Sequence, residues 1–132
     1  METKQRKIPF SPGNPESRTF WNAAAEGRFI VPTCKSCRKL HWYPRGLCPF
    51  CFHDQLEWVT MSGHGNIYSF SVMRRALEPY AIAYVTLQEG VTLLTNIVDC
   101  DFDALRIGQA VKLAFKLSEG GFPVPMFTPV TS

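Results

Sequence analysis

Two Cys-x-x-Cys pairs, Cys34-Lys35-Ser36-Cys37 and Cys48-Pro49-Phe50-Cys51, constrain this 132-residue chain more than any other feature. Two intervening residues let both thiolates of a pair point into one knuckle, and a second knuckle completes a four-coordinate tetrahedral site. Ten residues separate the pairs, Arg38 to Leu47, enough for two short strands and a turn. Paired cysteines in such sites are usually about 15–20 residues apart, so this is the compact end of the class. Pro49 directly after Cys48 pre-sets the turn of the second knuckle. Two disulfides would use the same residues, but no apolar leader follows Met1 to Lys7, and disulfides are disfavoured in a reducing cytosol. Iron in a rubredoxin-like site would have the same ligands; zinc is preferred because nothing else in the sequence suggests a redox chain. Cys34, Cys37, Cys48 and Cys51 are therefore read as ligands of a structural Zn2+, closed to water.

A chain of this length holds one domain, or two very small ones if a metal staples the first. The cysteines favour the second option, with residues 1–60 as an N-terminal helix and zinc ribbon and 61–132 as a barrel. Ten Phe, three Trp and four Tyr supply ample core, which excludes a disordered chain. No apolar run is long enough to cross a membrane as a helix, and a cytoplasmic location is expected. Charge is uneven: residues 1–58 carry nine Lys/Arg against five acids, whereas residues 59–132 carry five against six. A polyanion would meet the metal half first.

In chain order, residues 1–13 read as a proline-marked arm. Asn14-Pro15 reads as a cap and first helical position, a helix runs from Pro15 to Glu26, and Gly27 stops it. Phe20, Trp21, Ala23 and Ala24 share one broad face, either a cover for the ribbon or a surface for a partner. Phe29–Val31, Leu40–Tyr43 and Leu56–Val59 predict a three-stranded ribbon. His41 and His53 lie near the cysteines, but four thiolates already fill the shell, so both are expected at the surface or behind the ligands. Cys100 is expected to be an ordinary small buried residue.

From Gly63 onward the pattern is all β. Asn66–Met73, Ala81–Leu87 and Val91–Val98 predict strands, with Gln88-Glu89-Gly90 as a hairpin. Asp101–Leu105 predicts a single helical turn, Val111–Leu117 a fourth strand and Met126–Val130 a fifth. The fold class is thus mainly β: a helix plus zinc ribbon, then a five-stranded barrel of OB type.

No Gly-rich phosphate loop, His-Glu-x-x-His or serine elbow is present, and His64 between two glycines reads as a turn residue. Arg74, Arg75, Glu78 and Tyr80 form the most polar loop of the barrel half. A ribbon joined to an OB barrel raises nucleic-acid binding as an alternative, with Tyr68, Phe70, Tyr84 and Phe115 as stacking platforms. The acidic balance of the barrel half argues against it.

Taken together, Phe20-Trp21, Glu26-Gly27-Arg28-Phe29, the two cysteine pairs, Tyr43-Pro44-Arg45, Leu56-Glu57-Trp58, Ser62-Gly63-x-Gly65, Pro79-Tyr80-Ala81, Leu87-x-x-Gly90 and Ile107-Gly108 carry a family resemblance. From about residue 15 to residue 128 the chain resembles the acyl-CoA-associated family with a rubredoxin-like zinc ribbon and a C-terminal OB-fold. Members resemble components of acetyltransferases, archaeal acetyl-CoA thiolase assemblies, steroid side-chain aldolases and the thiolase that cleaves benzoylsuccinyl-CoA. The resemblance implies an accessory subunit that is not itself catalytic. It would shape or close the acyl-CoA site of a thiolase-like partner that holds the catalytic cysteine and histidine, with a CoA thioester near the interface. Phe20, Trp21 and Arg45 are the residues expected to meet that partner. The sequence departs from the family at one point. Its knuckles usually place glycine after the second cysteine of a pair, where this chain has Arg38 and Phe52, so each turn must tolerate a Cβ.

Overall fold

The computed structural model describes Ile8 and residues 15–130; the expected N-terminal arm and the Asn14 cap lie outside these residues. A 3-10 turn, Pro15–Ser17, leads into α1, Arg18–Ala25. The helix is shorter than expected at its start and stops where glycine dictates. Gly27 has φ +81°, its N–H donates to Ala24 O, and the Arg28 N–H donates to Ala23 O. These two bonds satisfy carbonyls that the helix end would otherwise orphan.

Strands β1 (Ile30–Cys34) and β2 (Leu56–Thr60) form an antiparallel ribbon, with Cys34 opposite Leu56. The third ribbon strand expected at Leu40–Tyr43 is reduced to one bridge, Leu40 to Thr33. Proline explains the shortfall. The bridge is made by Cys34 N–H to Lys39 O and His41 N–H to Pro32 O. The next rung would need an N–H from Pro32, which has none.

The barrel strands are β3 (His64–Met73), β4 (Tyr80–Leu87), β5 (Thr92–Ile97), β6 (Ala110–Leu117) and β7 (Pro123–Pro129). They close in the order β3-β4-β5-β7-β6, with β5 and β7 parallel and the other neighbours antiparallel. This is the five-stranded OB barrel. The expected helical turn is a 3-10 turn, Phe102–Ala104, capped by the Asp101 side chain accepting from Asp103 N–H. The last strand begins three residues before the expected Met126 and accommodates three prolines. Val98 N–H donates to Phe127 O, so the backbone groups of odd-numbered β7 residues face β5. Pro123, Pro125 and Pro129 have the same parity, so their missing N–H groups cost nothing on the β6 side, where β7 is paired along its whole length. The consequence falls on the other side, where one pair, Ile97 with Phe127, joins β5 to β7.

Gly65 allows β3 and β4 to cross closely: a Cβ there would lie 2.6 Å from Thr86 O and 2.9 Å from Val85 Cγ1. Tyr68 and Tyr84 are exposed, while Phe70 and Phe115 are half-buried.

One hydrophobic core runs through helix, ribbon and barrel. Phe20, Phe29 and Val31 belong to the same buried cluster as Ile67, Val85, Val111 and Phe127. The Phe20 ring meets Trp42 at 4.9 Å and Phe29 at 5.8 Å, and Phe29 meets Phe127 at 6.1 Å, each edge to face or nearly so. Such pairs add to the roughly 1.5–3 kcal/mol that burying one large apolar side chain contributes. The expectation that Phe20 faces a partner is therefore corrected: its side chain is 2% exposed, because the helix covers the barrel as well as the ribbon.

Candidate metal centre

The two knuckles have the same internal wiring. In the first, Cys34 N–H donates to Lys39 O, Arg38 N–H donates to Cys34 O at 2.9 Å, and Ser36 N–H points at Cys34 Sγ at 3.3 Å. In the second, Cys48 N–H donates to His53 O, Phe52 N–H donates to Cys48 O at 2.9 Å, and Phe50 N–H points at Cys48 Sγ at 3.4 Å. Each knuckle closes only if the residue after its second cysteine turns left-handed. Arg38 has φ 65° and Phe52 has φ 64°.

The four Sγ atoms all lie within 4.8 Å of one another. The closest approaches are Cys34 to Cys51 at 3.5 Å and Cys37 to Cys48 at 3.6 Å. A tetrahedron of thiolates at the zinc–sulfur distance of about 2.3 Å has edges of about 3.8 Å, so the cluster fits a zinc ion. Cys34 and Cys48 are buried, Cys37 is half-buried and Cys51 is exposed.

The electrostatics agree with ligation. Backbone donation from Cys37 draws the Cys34 thiol below its usual value despite burial. Burial pushes the Cys48 thiol up, but the N–H groups of Cys51 and Phe50 outweigh it and bring the thiol down to about 7. At Cys51 the His53 N–H lowers the value, yet burial and three neighbouring thiols win and push it up to about 11. Four thiols this close compete for protons, and a divalent cation resolves the competition by holding all four as thiolates. With four sulfur ligands no position stays open for water, so the Zn2+ is structural.

Neither nearby histidine joins the cluster. His53 is exposed, and its Nδ1 accepts from Gln55 N–H at 3.1 Å. His41 is not at the surface: it is buried, 3% exposed, and neither ring nitrogen has a hydrogen-bond partner among the described residues. Burial, and then the Arg45 charge, holds its imidazole below the ordinary value. His64 is exposed at the start of β3. Cys100 lies outside the cluster, half-buried, its thiol pushed up by burial and by Asp101 and Asp99.

Of the residues expected to meet a partner, Trp21 is half-buried against Phe122 at 5.9 Å, and Arg45 is exposed. Both border a cleft of about 540 Å³ between ribbon and barrel, which the buried Phe20 and Tyr43, Tyr84 and Leu94 also line. At one end of the barrel a second cleft of about 720 Å³ is lined by Arg74, Tyr80, Asp99, Asp101 and Asp103, and Arg74 is held by Asp103 at 2.8 Å. Sequence reasoning missed the apolar tip of the second knuckle, where Leu47, Phe50 and Phe52 are 52%, 55% and 74% exposed. The signal was present in a knuckle that has phenylalanine where glycine is usual.

Two family models match the chain, one after the other. Residues 21–57 match the family model described as ChsH2, rubredoxin-like zinc ribbon domain, and residues 58–116 match ChsH2, C-terminal OB-fold domain. A DUF35 domain-containing scaffold protein of Methanothermobacter thermautotrophicus is 36% identical over 63% of this chain and 68% of its own length. A probable enoyl-CoA hydratase alpha subunit of Thermomonospora curvata is 31% identical over 97% of this chain, which spans only 42% of that protein. The benzoylsuccinyl-CoA thiolase subunit BbsA of Geobacter metallireducens is 31% identical over 61% of this chain and 56% of its own length. Among solved structures, a chain of the Ltp2-ChsH2(DUF35) aldolase superposes with a TM-score of 0.82 at 28% identity, covering 92% of this chain and all of that one. The chain belongs to the DUF35 family, of the ChsH2 type that joins a rubredoxin-like zinc ribbon to an OB-fold.

Proposed function

We propose that this chain is the zinc-bearing accessory subunit of a thiolase-like complex that acts on an acyl-CoA thioester. The likeness to a chain of the Ltp2-ChsH2(DUF35) aldolase, over 92% of this chain, carries the reading. Kinship with BbsA thiolase subunits supports it. The large subunit would make or break the carbon–carbon bond through an acyl-cysteine intermediate. This chain would supply interface and closure, with Trp21 and Arg45 at the ribbon–barrel cleft as the residues nearest the shared site.

The Thermomonospora relative favours a second reading of the partner, in which an enoyl-CoA hydratase unit takes the thiolase's place. Both partners handle CoA thioesters, so the two readings differ in the reaction served. Co-purification of the tagged, zinc-loaded chain from its native cells, read by mass spectrometry and by absorbance for nucleic acid, tests them. A stoichiometric thiolase-like polypeptide is expected. A hydratase would move the assignment to the second reading, and co-purifying nucleic acid or an unaccompanied chain would overturn both.

A further inference from the structure

The second knuckle exposes three large apolar side chains within six consecutive residues, Leu47, Phe50 and Phe52. Phe52 is the informative one. Its backbone has φ 64°, a conformation that glycine adopts freely and a bulky residue rarely does. Its side chain is 74% exposed, so little of the molecule's own packing offsets the strain. Strain held in this way concentrates where a protein binds or acts. The same knuckle fold is achieved without it wherever glycine stands after the second cysteine.

The surroundings of this tip say what covers it. From Cys34 to Glu57 the chain carries Lys35, Arg38, Lys39 and Arg45 against two acids, Asp54 and Glu57, the second of them 3.6 Å from Arg38. All four cations are exposed, and the Lys39 ammonium stands 5.1 Å from the Phe50 ring centre. An apolar tip with an exposed cation against it has the anatomy of a protein-docking surface whose complement is an apolar pocket edged by carboxylates. A nucleic-acid strand would meet the cations and stack on the phenylalanine rings but would offer the aliphatic Leu47 no apolar pocket.

We infer that the tip of the second zinc knuckle, Leu47, Phe50 and Phe52 with Lys39 beside it, docks into an acid-edged apolar pocket of the large catalytic subunit. The inference rests on the accessory-subunit reading and adds where the two chains meet. It also gives the zinc a task in assembly, since the ion fixes the loop that carries the tip.

The test compares the full-length zinc-loaded chain with Phe52→Gly and with a Leu47→Ser/Phe50→Ser double variant, each used as bait in native lysate. Zinc content and thermal melting are checked first, and sedimentation reports self-association. Phe52→Gly is expected to keep its zinc and its fold while recovering about tenfold less of the thiolase-like subunit, and the double variant to lose as much. Equal recovery by all three baits would overturn the inference and leave the accessory-subunit reading standing. No thiolase-like subunit on the wild-type bait would overturn both. A wild-type dimer that the variants abolish would make a second copy of this chain the occupant and overturn the inference.

Discussion

Arg38 and Phe52 occupy the same place in the two knuckles, each the fourth residue after a first cysteine, each donating its N–H to that cysteine's carbonyl at 2.9 Å. Their φ angles, 65° and 64°, are those of residues forced left-handed by the need to close a turn around a metal. A left-handed non-glycine residue costs about 1–2 kcal/mol, part of which glycine gives back through the greater freedom of its unfolded chain. Phe52→Gly, which sacrifices little packing, is therefore expected to raise the stability of the zinc-loaded chain by up to about 1 kcal/mol, measured by denaturant unfolding. Arg38→Gly should gain less, because it also removes the exposed 3.6 Å ion pair with Glu57. A loss of stability in Phe52→Gly would mean that its ring packs in a way the geometry does not show.

Metal removal has a further reach than a free-standing ribbon would suggest. Phe29 and Trp42 belong to the ribbon half yet pack with Phe20, and Phe29 packs on Phe127 of the barrel. Chelation is expected to abolish the near-ultraviolet signal of this aromatic cluster and to lower the melting temperature of the barrel, while the barrel's far-ultraviolet signal largely persists. Retained zinc should fall as pH is lowered, since protons compete for the thiolates and the zinc-loaded state binds fewer protons than the unfolded chain. Cobalt substituted for zinc should give the intense visible bands of a tetrahedral thiolate site. Unchanged melting on chelation would contradict a structural role for the metal.

His41 sets a second pH dependence. Burial favours its neutral form, so its folded value lies below the ordinary 6.5. Below about 6.5 the unfolded chain binds the proton more readily than the folded one, so this residue's contribution to stability is present above that pH and is lost as pH falls. His41→Leu should remove that component of acid sensitivity. Its imidazole has no hydrogen-bond partner among the described residues, so the change should also stabilise the chain by about 1 kcal/mol at neutral pH. Parallel pH–stability curves for the two proteins would refute the assignment.

Close strand crossing at Gly65 makes a sharper prediction. A methyl group there would meet Thr86 O at 2.6 Å, and the backbone of β4 must move to admit it. Gly65→Ala should destabilise the barrel by about 1–3 kcal/mol. Gly27→Ala, where the added Cβ meets nothing within 4 Å, should cost only the left-handed strain of about 1–2 kcal/mol. Denaturant titration of both variants separates a packing clash from a backbone cost.

The parts of this molecule that were legible beforehand are those written in local spacing. The cysteine pairs carry their geometry in two intervening residues, and the alternation in β3 and β6 carries the barrel. Gly27 and Gly90 mark their turns in the same local way. What could not be read depends on partners far away in the chain. Phe20 looks like a free aromatic until Phe29 and Trp42 are folded onto it. The missing third ribbon strand follows from Pro32, a residue in a different strand from the one that fails to extend. His41 sits four residues after a ligand, and nothing in that spacing shows that its ring is buried, outside the thiol cluster and with no polar partner among the described residues.

The central claim, a zinc-bearing subunit on which a thiolase-like enzyme depends, is tested most directly by reconstitution. The large subunit recovered with this chain would be assayed for acyl-CoA cleavage or condensation alone, with the zinc-loaded chain, and with the chain after chelation. Turnover is expected only with the zinc-loaded chain, and the chelated chain should restore little of it. Full turnover by the large subunit alone would contradict the account.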